Sequence, residues 1–368
     1  MRTTWILACA AWLMEAFTCG PASAAEAVPC QVRVILFVPA DVTPPAEYQP
    51  RIDDIVRSSE AFFTRELKRW GHEQVVMPFR RSADGHVEVT LLRGKLEKAK
   101  YKTIPLRTEV NEILREQGKL DRGWQVWWIL VYFGDPPAKF HAPLGGFGDL
   151  MGGWGICNFS TAPGELDPEA DLASEFPEKI GLKGMLRELG SGLRLRPAGP
   201  LRLDSGENTL MGPSHYTYGR VVGKPERTTL CEAEAALLAS HPAFRGKADP
   251  PRKAVKTEAR ELTCTVDRGS KAIVVRGAAV SAVPARYALV GDESDARRED
   301  HWTKTYVGPV AADGRFEVVV SQPAESGGKL RVWFVLEDGT QTGDGIFHGR
   351  QYGIAKPYTY SRGEWKFP

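Results

Sequence analysis

Cysteine is scarce in this chain, with six in 368 residues and no CxxC pair. That excludes a cysteine-based zinc knuckle and a thioredoxin-like redox motif. None of the seven histidines lies within four residues of another, so no helix can present paired imidazoles to a metal. Beyond the N-terminus no apolar run approaches the roughly 18 residues that a membrane-spanning helix needs. The formal net charge is +2 and no long Lys/Arg run occurs, which argues against a nucleic-acid partner. A P-loop, an internal repeat and a low-complexity tract are also missing.

What is present begins with a targeting segment. Arg2 precedes the apolar run WILACAAWLM, and PASAA places small residues at Ala22 and Ala24. This reads as a signal peptide over 1–24, and predicts a secreted or periplasmic protein. Cys9 and Cys19 leave with it. Cys30, Cys157, Cys231 and Cys264 remain, compatible with two disulfides in any of three pairings or with buried free thiols.

Strand-like and helix-like patterns then alternate. CQVRVILFVPAD reads as a buried strand, and YQPRIDDIVRSSEAFFTRELKRWG as an amphipathic helix stopped by Gly71. Two strands flank an Asp84-Gly85 turn. RTEVNEILREQG is a second helix and WQVWWILVYFG a central strand. PLGGFGDLMGGWG is a Gly-rich loop leading into a short edge strand. PGELDPEADLASE is a polar loop. A helix begins near Pro177, and CEAEAALLASHPAFR forms another before Pro242. Residues 246–260, rich in Lys, Arg and Pro, read as a linker. From 261 to 368 short β-type runs separated by turn residues predict a small Ig-like β-sandwich and an aperiodic tail.

The chemistry-bearing stretch is GMLRELGSGLRLRPAGP, followed by NTLMGP. In an HExxH helix the two histidines lie one turn apart and share a metal, while the Glu works on metal-bound water. Residues 187–191 have that rhythm, with Glu188 at the Glu position. Met211 lies in a downstream turn. With the surrounding elements, residues 25–245 resemble a metzincin-type zinc metallopeptidase, a family defined by HExxHxxGxxH plus a Met-turn. The resemblance implies an α/β (α+β) domain with a mixed sheet, an active-site helix and a zinc cofactor.

The departures from that pattern decide the expectation. Arg187, Ser191 and Pro197 occupy the three zinc-ligand positions, and Arg194 the glycine position. Guanidinium is cationic and offers no lone pair, proline offers no side-chain donor, and a serine hydroxyl is a poor ligand. Glu188 is then a vestigial general base, since unbound water has a pKa near 15.7 rather than about 7. The reading is a pseudopeptidase without bound metal that binds an extended peptide or an extracellular protein. Gly153, Trp154 and Gly155 are the candidate peptide-binding edge strand. Arg187 is expected near the vacated metal position, paired with carboxylates. Two alternatives remain: a zinc peptidase with non-standard ligands drawn from His141, His215 and Glu188, or a protein whose β-sandwich carries the function.

Overall fold

The computed structural model describes residues 30–117, 125–134, 145–150, 152–161, 172, 181–224, 226–247, 253–296, 300–343 and 352–368. The signal-peptide segment, Pro177, His141 and most of the acidic loop lie outside them. The first part is a mixed α/β layer structure. Its elements are β1 (Gln31–Val38), α1 (Tyr48–Arg69), β2 (Val89–Arg93), α2 (Thr103–Glu116), β3 (Gln125–Val131), β4 (Gly145–Asp149) and β5 (Gly152–Asn158). Then follow α3 (Leu182–Gly192), β6 (Glu207–Thr209), α4 (His215–Val222), β7 (Arg227–Thr229) and α5 (Glu232–Ser240).

The main sheet has the order β2-β1-β3-β5-β4, parallel except for β4. Alternate residues of each strand point to opposite faces. Val32, Val34 and Leu36 of β1 therefore join α1, α3 and α5 in one core. Ile35 and Phe37 join Leu106, Val110 and Ile113 of α2 in another. The continuous apolar run of β3 fits a strand covered on both faces.

Two sequence expectations change here. The Gly-rich loop is in fact the β4–β5 strand pair. Gly153, Trp154 and Gly155 are not an edge: β5 lies between β3 and β4, and β4 is outermost. The glycines serve close packing. A Cβ on Gly153 or Gly155 would collide with the backbone carbonyl of Gly192 or Glu188 in α3, and Gly146 and Gly148 of β4 meet those same two carbonyls.

The second part comprises β8 (Thr257–Asp267), β9 (Ala272–Ser281), β10 (Ala285–Ser294), β11 (Lys304–Pro309), β12 (Arg315–Val320), β13 (Gly328–Leu336), β14 (Ile354–Ser361) and β15 (Glu364–Lys366). They form a sheet β11-β10-β13-β14-β15 and a sheet β12-β9-β8, sharing a core that includes Val275, Val290, Phe316 and Phe334. The expected linker is too long, because residues 257–260 already pair with β9. The tail is not aperiodic, since residues 354–366 form β14 and β15. Leu289, Trp333 and Val335 belong to the α/β core, so the two parts meet through packed apolar side chains.

The disulfide option is overturned. None of the four described cysteines is in a disulfide: Cys30 is buried just before β1, Cys157 on β5 and Cys231 at the N-cap of α5, while Cys264 is partly exposed on β8. No helix among the described residues is long and apolar enough to cross a membrane.

The glycine contacts give a paired prediction. Gly155→Ala is expected to cost about 1–3 kcal/mol by overpacking. Gly184→Ala, on the exposed face within α3 and with open space around it, is expected to stabilise by about 0.5–1 kcal/mol through helix propensity. Denaturant midpoints of the two variants check both signs.

Candidate functional site

Helix α3 is short and amphipathic. Leu182, Met185, Leu186 and Leu189 face the core, and the glycines beneath let its backbone approach the sheet. Gly190 gives passage on another side, since a Cβ there would lie 2.8 Å from the Met211 sulfur. Met211 is itself buried, with 3% of its surface exposed. The turn carrying it is fixed by Glu234. That buried carboxylate accepts from the N–H groups of Met211 and Cys231, each at 2.8 Å, the second being the N-cap of α5.

Four of the sequence-marked residues stay together on or just after this helix. Ser191 Oγ donates to the Arg187 carbonyl at 3.2 Å, an ordinary one-turn back-bond. Glu188 is mostly buried, and burial pushes its carboxyl above the usual range, opposed by the Arg187 charge. Arg187 Nη1 is 3.9 Å from its Oε1. Pro197, half-buried, lies in the segment that leaves the helix.

The expected carboxylate pairing of Arg187 is only part of the arrangement. Its Nη2 lies 2.9 Å and 3.1 Å from the ring nitrogens of His301, which belongs to the second part of the chain. A guanidinium only donates, so a neutral imidazole nitrogen must accept. Spacing in sequence could not reveal this pair, which is 114 residues apart.

The chain turns at position 194 without a glycine. Arg194 adopts φ 65°, the left-handed conformation that costs an ordinary residue about 1–2 kcal/mol. Contacts across the bend hold it there. Gln341 Nε2 donates to the Arg194 carbonyl at 3.4 Å, Arg196 donates to the Thr342 carbonyl at 3.0 Å, and the Arg196 guanidinium sits 3.6 Å from the Tyr352 ring centroid.

The donor set does not fit zinc. Arg187 and Pro197 cannot ligate, and Ser191 spends its proton inside the helix. Among the described residues no group of three or more His, Cys, Asp or Glu is placed to hold a metal ion. His215, offered as a substitute ligand, is instead 3.3 Å from Glu226, which also forms a buried ion pair with Lys183. His141 lies outside the described residues. Trp154 is directed to the α2 side, with the Arg107 guanidinium 5.5 Å from its ring. Cys157 lies under Glu188 on β5, and burial together with that carboxylate raises its thiol pKa far above the range of a nucleophile.

Two outcomes are expected from this geometry. Arg187→Ala should cost about 1–2 kcal/mol, and the double variant with His301→Ala no more than either alone, in a double-mutant cycle. The second concerns Glu234, whose pKa burial raises from 4.5 to about 7. The folded state therefore favours the protonated carboxyl. Its contribution is full below 4.5 and is lost as pH rises toward 7. Glu234→Gln should flatten the fall in Tm across that window, as followed by thermal melts at stepped pH.

No protein-family model and no curated protein matches the sequence. Solved structures do. Two crystal forms of wild-type OgpA from Akkermansia muciniphila superpose with TM-scores of 0.70 and 0.71, each at 16% identity. Catalytically inactive OgpA in complex with an O-glycopeptide (glycodrosocin) substrate gives 0.71 at 17% identity. Each match covers 93% of this chain and 96% of the other. At such identity the likeness is one of fold, and it extends over both parts of the chain.

Proposed function

We propose that this is a secreted, metzincin-like pseudopeptidase that holds an extended peptide, and in particular an O-glycosylated one, without zinc-dependent cleavage. The observation that carries this reading is the fate of the ligand positions. Arg187 supplies a fixed cation there and is committed to His301 and Glu188. A guanidinium can balance charge, but it cannot lower the pKa of a bound water as a Lewis acid does. Glu188 is left as a vestigial base with no activated water, and the turn at Met211 corresponds to the Met-turn.

The peptide surface belongs to β4 rather than to residues 153–155. Strand β4 is outermost and antiparallel to β5, and no described strand pairs with its other side. An extended peptide can add there through main-chain hydrogen bonds. The choice of a glycosylated peptide rests on the neighbour's bound substrate, an O-glycopeptide held by a protein of the same fold.

Calorimetry with an O-glycosylated peptide, combined with metal analysis, tests the reading. The wild-type protein is expected to bind the peptide intact and to carry far less than one zinc per chain. The triple variant R187H, S191H, P197H is expected to gain zinc. One zinc per chain in the wild type, with peptide cleavage seen by mass spectrometry, would overturn the reading.

A further inference from the structure

The guanidinium of Arg187 has more donors than acceptors around it. Such a group carries five N–H bonds and accepts nothing. Nη2 is spent on His301, at 2.9 and 3.1 Å from its ring nitrogens. Nε is buried and finds no acceptor. Nη1 lies 3.9 Å from Glu188 Oε1, too far for a hydrogen bond. Unlike Nε, it is not sealed from solvent, and the side chain keeps 24% of its surface exposed. A cation held partly out of water and short of acceptors attracts an oxyanion more strongly than a fully hydrated one.

The surroundings leave that cation lightly opposed. Glu188 is the one carboxylate that pairs with Arg187 among the described residues. Burial favours the protonated form of that carboxyl, which weakens the opposing charge. Lys183, one turn earlier on α3, is buried and paired with Glu226, so its charge is already met. The place of Arg187 relative to β4 follows from the helix. Arg187 and Ser191 are one turn apart on the same face of α3, joined by the Ser191 hydroxyl donating to the Arg187 carbonyl. Ser191 lies against β4, since a Cβ on Gly146 would come within 2.6 Å of the Ser191 Cβ. The guanidinium therefore stands about one helical turn from the outermost strand of the sheet. A strand added about 4.8 Å beyond β4 would present alternate side chains to the α3 face.

We propose, resting on the reading of β4 as the peptide-receiving edge, that Arg187 makes this site selective for a peptide carboxylate. The carboxylate is received by Nη1–H and the remaining Nη2–H, a fork that matches its two oxygens. It is either an Asp or Glu side chain or the free C-terminus of the peptide, and the two sources are separable. Full-length protein is titrated by calorimetry with one O-glycosylated peptide in three forms. The first is acetylated, amidated and uncharged. The second has its central Gln replaced by Glu. The third has the uncharged sequence with a free C-terminal carboxylate. One of the two charged forms is expected to bind at least about tenfold tighter than the uncharged form, and which one it is assigns the source. Arg187→Gln should abolish the difference. Glu188→Gln, nearly isosteric, removes the opposing charge and should widen the difference by about threefold; it decides the matter if Arg187→Gln fails to fold. Equal Kd values for the three forms overturn the proposal while leaving the peptide reading in place. Failure of all three to bind overturns both. A carboxylate preference that survives Arg187→Gln, or that narrows in Glu188→Gln, overturns the proposal as well.

Discussion

The structure depends on one contact of backbone against backbone. Helix α3 sits so close to the sheet that the carbonyls of Glu188 and Gly192 occupy the space where side chains of β4 and β5 would otherwise stand. Four glycines make that room, and none of them is needed there for an unusual backbone angle. Their common property is the missing Cβ. Because the helix cannot be lifted, the side chains at 187, 188 and 191 and the bend at 194 keep fixed places whatever their chemistry.

What the residues of this region do is structural and electrostatic, drawing together groups far apart in sequence. Here Arg187 joins α3 to His301, Arg196 joins the following segment to Tyr352 and Thr342, and Gln341 meets the Arg194 carbonyl. Hydrogen bonds and ring contacts thus tie the helix region to the β-rich part. The strain of Arg194 is tolerated because contacts on both sides over-determine its conformation. The buried carboxylate of Glu234 performs a similar service below the helix, where two N–H groups of different elements converge on it.

Much of this was legible in the sequence. The apolar period of 52–67, the uninterrupted run of β3 and the turn glycines placed most elements of the α/β part, because those patterns are local consequences of burial. The change of rhythm after 260 placed the strands of the second part. Strand β5 was legible as a strand, but β4 beside it was hidden, because a strand made largely of glycine carries no propensity signal and its reason to exist lies in a helix further along the chain. Helix α4 was missed too. It is short and exposed, with Tyr216 at 74% exposure, so little apolar periodicity marks it. At the site, the types of residue at 187, 191 and 197 were readable. The partner of Arg187 was not, for nothing local links position 187 to 301. The disulfide expectation rested on an even count of cysteines, and a count carries no geometry.

The apolar boundary between the two parts has a consequence for how the chain holds together. Leu289, Trp333 and Val335 are anchored in the same core as α1 and α5. The stretch joining the parts is therefore a tether rather than a hinge. A proteolytic nick within it would leave two fragments still bound to each other, because the covalent link contributes little beyond local concentration. Heating should accordingly melt the molecule as one cooperative body, and either half expressed alone would present to solvent the greasy face that its counterpart normally covers.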